Sequence, residues 1–304
     1  MKIILSPAKK MNGSEYCGSF GQPVFKCTYR NSVVQNETFS NNAHQDEAMQ
    51  NRETVKQDCE AAMQNHNAGL LLTKPVCLDK TEVILSWLRS RSHDELRKLW
   101  GCNEKIAEQN FARLEAMDLY QQLTPAVLSY EGIAYQYMAP AVFEDGHFDY
   151  VQEHLCILSA FYGVLKAMDG VTPYRLEMQA KAGIQGTKNL YDFWGSDLYQ
   201  AVRDDSGIII NLASKEYSKC IEKYLTPDDR YITITFCEKS GDRLVTKGTY
   251  AKMARGEMVR FMAEHRVEDP VEIQAFDRLG YVFRRDLSSD LEYVFERIAK
   301  VSEE

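Results

Sequence analysis

The 304-residue chain carries 36 Lys and Arg against 44 Asp and Glu, a net charge of −8, with 44% hydrophobic and 26% charged residues. That balance is ordinary for a globular protein and excludes a coiled coil or a disordered tail. Its length allows one large domain or two ordinary ones. An acidic average argues against bulk polyanion binding, so any anion site must come from local charge.

Nothing near the N-terminus reads as a leader, because only Ile3 to Leu5 precede Ser6-Pro7. No run approaches the roughly 18 apolar residues of a membrane span, so the expectation is a cytoplasmic protein with no membrane partner. The 8 cysteines form no CxxC pair. Free thiols in a reducing compartment are therefore expected, with Cys156 inside a strongly apolar run. His147 and His154 could share a helix face, but no Glu or Cys completes a metal set. No metal or cofactor is expected.

Lys2 to Leu5 reads as a buried strand that opens into a loop carrying Lys9 and Lys10. Residues 12–30 are turn-rich. Between about 17 and 74 the chain is polar and rich in Asn and Gln, with too little apolar surface to offset ordering entropy. This span is expected to be a flexible insertion, with a polar helix over 43–65 as the alternative.

From Leu78 to Met117 the pattern is helical. Val83, Ile84, Trp87 and Leu88 are spaced for one buried face. Ser92 and Glu95 form a capping box for a helix over about 94–99. Gly101 breaks that helix, and another starts near Glu104 with Ile106, Phe111 and Leu114 as its apolar points. Residues 125–128, 134–138, 148–155 and 158–165 extend a helix-leaning middle.

Strand signals return at Ile208 to Ile210, ending at Asn211. Tyr231 to Cys237 and Leu244 to Tyr250 flank a Ser240-Gly241-Asp242 turn and read as a β-hairpin. A basic helix over about 251–264 follows. Gly280 to Arg284 is a late strand, and 291–299 a short helix or strand. The expected fold is α+β or mixed α/β. It is a single domain over 1–304, with a mixed sheet, surrounding helices and strands from both chain ends in one core.

Chemistry concentrates in polar clusters between the apolar elements. The Ser6 to Lys10 loop sits at a strand's carboxyl end, a common site position in α/β sheets. Arg175 and Glu177 are two apart and could pair with each other. Tyr191 and Trp194 belong to an aromatic cluster that is either core or a stacking surface. Lys247 to Arg266 holds five basic residues against Glu257 and Glu264, a local excess of three positive charges. Within it Lys252 and Arg255 share a helix face. This is either a solvated basic face or a phosphate-contacting helix. Two short helices around Gly101, Asn103 and Lys105 are similar to a helix-hairpin-helix, with an ordinary αα-hairpin as the alternative. Gly-rich phosphate loops, GxSxG and HExxH are absent.

Seven segments together resemble the YaaA peroxide-stress family. They are Ile4-Leu-Ser6-Pro-Ala-Lys9, Tyr130-Glu-Gly132-Ile-Ala-Tyr135, Leu158-Ser-Ala-Phe-Tyr162-Gly163-Val-Leu165 and Pro173-Tyr-Arg175-Leu-Glu177-Met178. The others are Tyr191-Asp-Phe-Trp194-Gly195, Asn211-Leu-Ala-Ser214-Lys-Glu216-Tyr217 and Ala251-Lys252-Met-Ala-Arg255-Gly256. They fall in the family's order and cover residues 1–12 and about 75–300. The 17–74 span has no counterpart in that pattern, and Ala160 and Lys166 stand at positions where it has Gly and Arg or Lys.

The resemblance implies a bacterial cytoplasmic protein that limits free iron and hence Fenton damage during peroxide stress. It also implies an unusual α/β fold, a positively charged cleft, a helix-hairpin-helix and binding to double-stranded or damaged DNA. Carried over by segment, Lys9, Arg175, Lys252 and Arg255 become expected contacts of a basic cleft; Lys10 and Arg260, from the same basic clusters, are expected DNA contacts too, with Gly101, Asn103 and Lys105 at the hairpin. Ser6, Tyr191, Trp194, Asn211 and Ser214 come from distant segments, as pocket residues often do, and are expected to line a pocket. The alternative is an enzyme acting on a nucleotide or damaged nucleic acid, with Lys9 as nucleophile or base and Glu177 as acid/base. Direct iron sequestration has no ligand spacing behind it. No obligate protein partner is implied.

Overall fold

Ile3, Ile4 and Leu5 are buried to within 1%. They form β1 (Lys2–Leu5), which a parallel strand flanks on each side. This computed structural model describes residues 1–12, 16–20, 25–26, 71–241 and 243–298. Most of the expected 17–74 insertion, including the alternative 43–65 helix, lies outside the described residues. Where the edges of that span are described, they are tied to the body: Gly18 bridges Leu123, and Thr73 bridges Asp169.

After β1 come β2 (Lys10–Met11), β3 (Tyr16–Cys17) and β4 (Phe25–Lys26). Three helices follow: α1 (Leu78–Arg89), α2 (His93–Trp100) and α3 (Glu104–Ala116). The α1 face buries Leu78, Thr81, Ile84, Leu85 and Leu88, whereas Val83 and Trp87 are half-buried at its edge. Ser92 and Glu95 form the expected capping box. Gly101 ends α2 at φ 54°, and the Asn103 side chain caps α3 by accepting from Ile106 N at 3.0 Å. Ile106 is exposed and Leu114 buried.

The middle is less helical than expected. It holds β5 (Thr124–Pro125), α4 (Ala126–Ser129), β6 (Tyr130–Glu131), α5 (Ile133–Met138) and α6 (Asp145–His154). Next, β7 (Leu155–Ser159) and β8 (Gly163–Leu165) replace the expected helix over 158–165, and β9 (Gly170–Val171) follows. Every β7 residue is buried. A central strand covered on both faces loses its period-2 alternation, so it reads like a buried helix. Gly163, at φ 78°, makes the turn into β8.

Then come α7 (Leu190–Trp194), α8 (Asp197–Val202), β10 (Ile208–Asn211), α9 (Lys215–Glu222), β11 (Arg230–Ser240) and β12 (Arg243–Val245). The chain closes with α10 (Gly248–His265), β13 (Tyr281–Phe283) and β14 (Glu292–Arg297). The hairpin strand expected over 244–250 is therefore short. Arg243 and Leu244 are exposed at the sheet edge, and the chain turns helical at Gly248.

Among the described residues the main sheet has eight strands in the order β13-β14-β11-β10-β1-β7-β8, with β12 beside β11. Its β14, β11, β10, β1 and β7 are mutually parallel, and β8, β12 and β13 are antiparallel edges. The fold is a mixed α/β domain, and strands from both chain ends share one core. Among the described residues no helix is long and apolar enough to cross a membrane. Five cysteines, Cys77, Cys102, Cys156, Cys220 and Cys237, are free thiols. Burial pushes the Cys156 thiol up to about 11. His147 Nδ1 accepts from Glu144 N in the α6 cap, and His154 Nδ1 lies 2.9 Å from Met1 O. Both histidines serve the fold.

Candidate functional site

β1 and β10 are parallel neighbours, so the loops after them leave the sheet at the same end. Such carboxyl ends are where α/β sheets place ligands. Ser6 follows β1 and Ser214 precedes α9. The Ser6 hydroxyl accepts from Ser214 N at 2.7 Å and donates to Ser214 Oγ at 3.1 Å. The Tyr135 hydroxyl donates to Ser6 O at 3.0 Å. Two loops 208 residues apart in sequence are thereby locked together.

The chain beyond Ser6 is held by a two-residue ladder, with Lys10 opposite Glu131 and Met11 opposite Tyr130. Gly132 allows this approach, since a Cβ there would meet Ala8 Cβ at 2.7 Å. On the other side, α10 crosses α5 so closely that a Cβ on Gly256 would overlap the Ala134 carbonyl. These contacts set Lys252 and Arg255 of α10 opposite the Ser6 to Lys10 loop.

The result is a cavity of about 390 Å³ that Ser6, Lys9, Lys10, Arg175, Glu177, Ser214, Lys252 and Arg255 all help to line. Those residues are distant in sequence and converge in space. Five cationic side chains and three carboxylates (Glu131, Glu177 and Glu216) face it, an excess of two positive charges.

The cations differ in their partners. Lys10 pairs with Glu131, and Lys9 Nζ lies 2.8 Å from Glu177 Oε1. Arg175 lies 3.9 Å from the same carboxylate, and its Nε and Nη2 donate to Trp100 O at 3.3 and 3.4 Å. Trp100 is the last residue of α2, so this guanidinium also rests on the negative end of that helix. Glu216 Oε1 accepts from Gln179 N. Among the described residues, Lys252 and Arg255 have no carboxylate partner. Arg255 is half-buried, and its Nε is sealed from solvent without a hydrogen bond. Burial pulls its guanidinium below the usual value with nothing opposing it, although an arginine stays cationic at neutral pH.

The lining is also aromatic. Tyr135, Tyr174 and Tyr217 line the cavity and are buried. Burial pushes the Tyr174 phenol up to about 12, and its hydroxyl lies 2.6 Å from Ser159 Oγ and 2.9 Å from Tyr130 Oη. Burial also raises Tyr130, Tyr135 and Tyr217, so all four are neutral.

Lys9 and Glu177 also line a second concavity of about 760 Å³ that runs to Gly101. Trp87, Arg91, Lys98 and Lys181 add to its wall, and the Arg91 guanidinium lies 5.1 Å from the Trp87 ring centroid. The α2–α3 junction thus adjoins the cavity, and Arg175 ties the two together.

Several expected site residues lie elsewhere. Trp194 is 1% exposed and donates from Nε1 to Ala160 O at 3.0 Å, so it is core and not a pocket wall. Asn211 is buried and accepts from Ala213 N, shaping the loop behind Ser214. The Tyr191 hydroxyl donates to Glu216 O, which makes it a brace for α9. Arg260 pairs with Glu264 at 2.7 Å, away from the cavity lining. Asn103 caps α3, and Lys105 is exposed on its first turn. The sequence reading passed over Tyr135, Tyr174, Tyr217, Arg91, Lys98 and Lys181 as site residues. The three tyrosines lie inside the very segments quoted for the resemblance, which was the available signal.

A family model described as Peroxide stress protein YaaA matches residues 1–287. A UPF0246 protein of Agathobacter rectalis is 71% identical over 223 residues, covering 73% of this chain and 90% of that protein. Another UPF0246 protein, from Lachnoclostridium phytofermentans, is 51% identical over 233 residues, covering 77% and 91%. A third, from Ligilactobacillus salivarius, is 47% identical over 221 residues, covering 73% and 90%. With residues 1–287 matched, this chain belongs to the YaaA peroxide-stress protein family.

Proposed function

We propose that this protein acts in the peroxide-stress response by binding DNA through the basic cleft, in the bacterial cytoplasm, and thereby limits iron-driven damage. The observation that carries the reading is the convergence of Lys9, Arg175, Lys252 and Arg255 on one cavity, the last two without a carboxylate partner among the described residues. The adjoining groove extends this surface with Arg91, Lys98 and Lys181. A net charge of −8 keeps the affinity modest and concentrates it on this face. Phosphate contacts release counterions, so each one lost lowers the slope of log affinity against log salt by about 0.9. Replacing Lys9, Arg175, Lys252 and Arg255 by Ala is expected to flatten that slope by about 3–4 and to weaken duplex binding in fluorescence anisotropy. Unchanged affinity in a folded quadruple variant removes the site.

A second reading is an enzyme acting on a nucleotide or damaged nucleic acid. It is favoured by one contact: Lys9 Nζ and Glu177 Oε1, 2.8 Å apart at the cavity wall, are placed to share a proton. Borohydride trapping of a Lys9 adduct on aldehyde-bearing DNA tests it, and the Lys9→Arg variant supplies the blank.

A further inference from the structure

The cavity and the groove are not equivalent as anion sites. The groove carries Lys9, Arg91, Lys98 and Lys181 against Glu95 and Glu177, with Arg91 paired to Glu95 at 3.7 Å. The cavity is the volume of a small-molecule site, about 390 Å³, so a duplex can lie across its mouth, with phosphates reaching the cations there, but cannot enter it. Inside it, the carboxylates Glu131 and Glu177 already engage Lys10, Lys9 and Arg175. What is left over is Lys252 and Arg255, one helical turn apart on α10 with no acid on either among the described residues, and the Glu216 carboxylate, which accepts from Gln179 N; the lining as a whole keeps its excess of two positive charges. A desolvated guanidinium without a partner is costly in an empty protein, and an oxyanion removes that cost.

The anion that fits can be read from charge and shape. Two uncompensated cations match a dianion better than the single charge of a backbone phosphodiester. A phosphomonoester carries about 1.5 to 2 negative charges near neutral pH. The planar guanidinium suits two phosphate oxygens at once, and the ammonium acts as a point charge. In the same lining, the Ser214 hydroxyl, which accepts from Ser6, keeps its own proton to donate to a third oxygen. The aromatic wall of Tyr135, Tyr174 and Tyr217 can hold a nucleobase or sugar without base-specific pairing.

We propose that the cavity is a subsite for the terminal phosphomonoester of a nucleotide, held by Arg255 and Lys252. The ligand is either a free mononucleotide or the phosphorylated end of a DNA strand. This inference rests on the cavity being an anion site, as in the reading above, but not on duplex DNA being its natural ligand.

The test titrates the full-length protein with deoxyadenosine monophosphate and with deoxyadenosine by calorimetry. Anisotropy then compares one duplex bearing 5′-phosphate or 5′-hydroxyl ends. The monophosphate is expected to bind about tenfold or more tightly than the nucleoside. Arg255→Gln and, at the exposed position 252, Lys252→Gln should each remove most of that difference. A preference for phosphorylated duplex ends assigns the ligand to DNA. Indifference to the ends with retained monophosphate binding assigns it to a free nucleotide. Equal affinity for nucleotide and nucleoside overturns the proposal, as does absence of binding to both with no preference for phosphorylated ends. If such a protein still binds duplex with a steep salt slope, the DNA reading survives, so the two fail separately.

Discussion

Gly256 on α10 faces the main-chain carbonyl of Ala134 on α5, with no space for a methyl group between them. The site depends on this contact. It lets α10 lie against the α5 backbone, which brings Lys252 and Arg255 to the loop after β1. A larger residue at 256 would separate the helices and widen the cavity at once. Gly256→Ala should therefore cost about 1–3 kcal/mol, as overpacking a tight contact does. Chemical denaturation measures that loss, and a variant as stable as the parent refutes the account of the crossing.

Arg175 joins the cavity to the α2–α3 turn through its two donors to Trp100 O. Arg175→Ala should weaken both the turn and duplex binding. Arg175→Lys should fail to restore the turn, because an ammonium cannot reproduce the planar fork. Hydrogen exchange across α2 and α3 reports the turn, and anisotropy the binding. Full rescue by Lys contradicts the positioning role.

Asn103 caps α3 by accepting from Ile106 N at 3.0 Å. Asn103→Ala should destabilise by about 0.5–2 kcal/mol, and Asn103→Asp or Ser should recover most of it. If only DNA binding falls and the thermal midpoint is unchanged, the side chain contacts DNA and is no cap.

Trp194 packs in the core rather than in the cavity. Trp194→Phe keeps most of the ring volume but removes the Nε1 donor to Ala160 O, leaving that oxygen unmet. The expected loss is about 1–3 kcal/mol. Duplex affinity of the folded protein should not change, and an equal fall in affinity would return Trp194 to the site.

Acid stability should depend on Glu264, which bridges Arg260 and Arg278 at 2.7 and 2.6 Å on the helix that carries the cavity cations. Burial alone would raise its carboxyl, but hydrogen bonds from Arg260 and Arg278 outweigh it and hold it below the ordinary 4.5. A depressed folded value means the stabilisation is complete above the unfolded value. It is lost as pH falls through the folded one. Glu264→Gln should be less stable at pH 7, with the gap to the parent closing below about pH 4. A gap that is constant with pH assigns the loss to packing.

Local signals were strong wherever a feature is carried by neighbours in sequence. The Ser92–Glu95 box, the Gly101 break, the buried strand at 2–5 and the basic helix near 251–264 all depend on residues within a turn or two of each other, and each was legible. So was the sharing of one core by both chain ends, since Ile3 to Leu5 and the 291–299 run each need buried partners. Residues 158–165 were not legible, because β7 is covered on both faces and burial erases the alternation that marks a strand.

Composition likewise located the cationic residues but not their states. Lys9, Arg175, Lys252 and Arg255 look alike in a charge count. Only the crossing of α10 over α5, the β1–β10 pairing and the Ser6–Ser214 lock decide that Lys9 and Arg175 share Glu177 while the Arg255 Nε is left without a hydrogen-bond partner among the described residues. Desolvation and counter-charge depend on what surrounds a group in space. That is why a chain with a net charge of −8 can hold a cavity with two positive charges uncompensated.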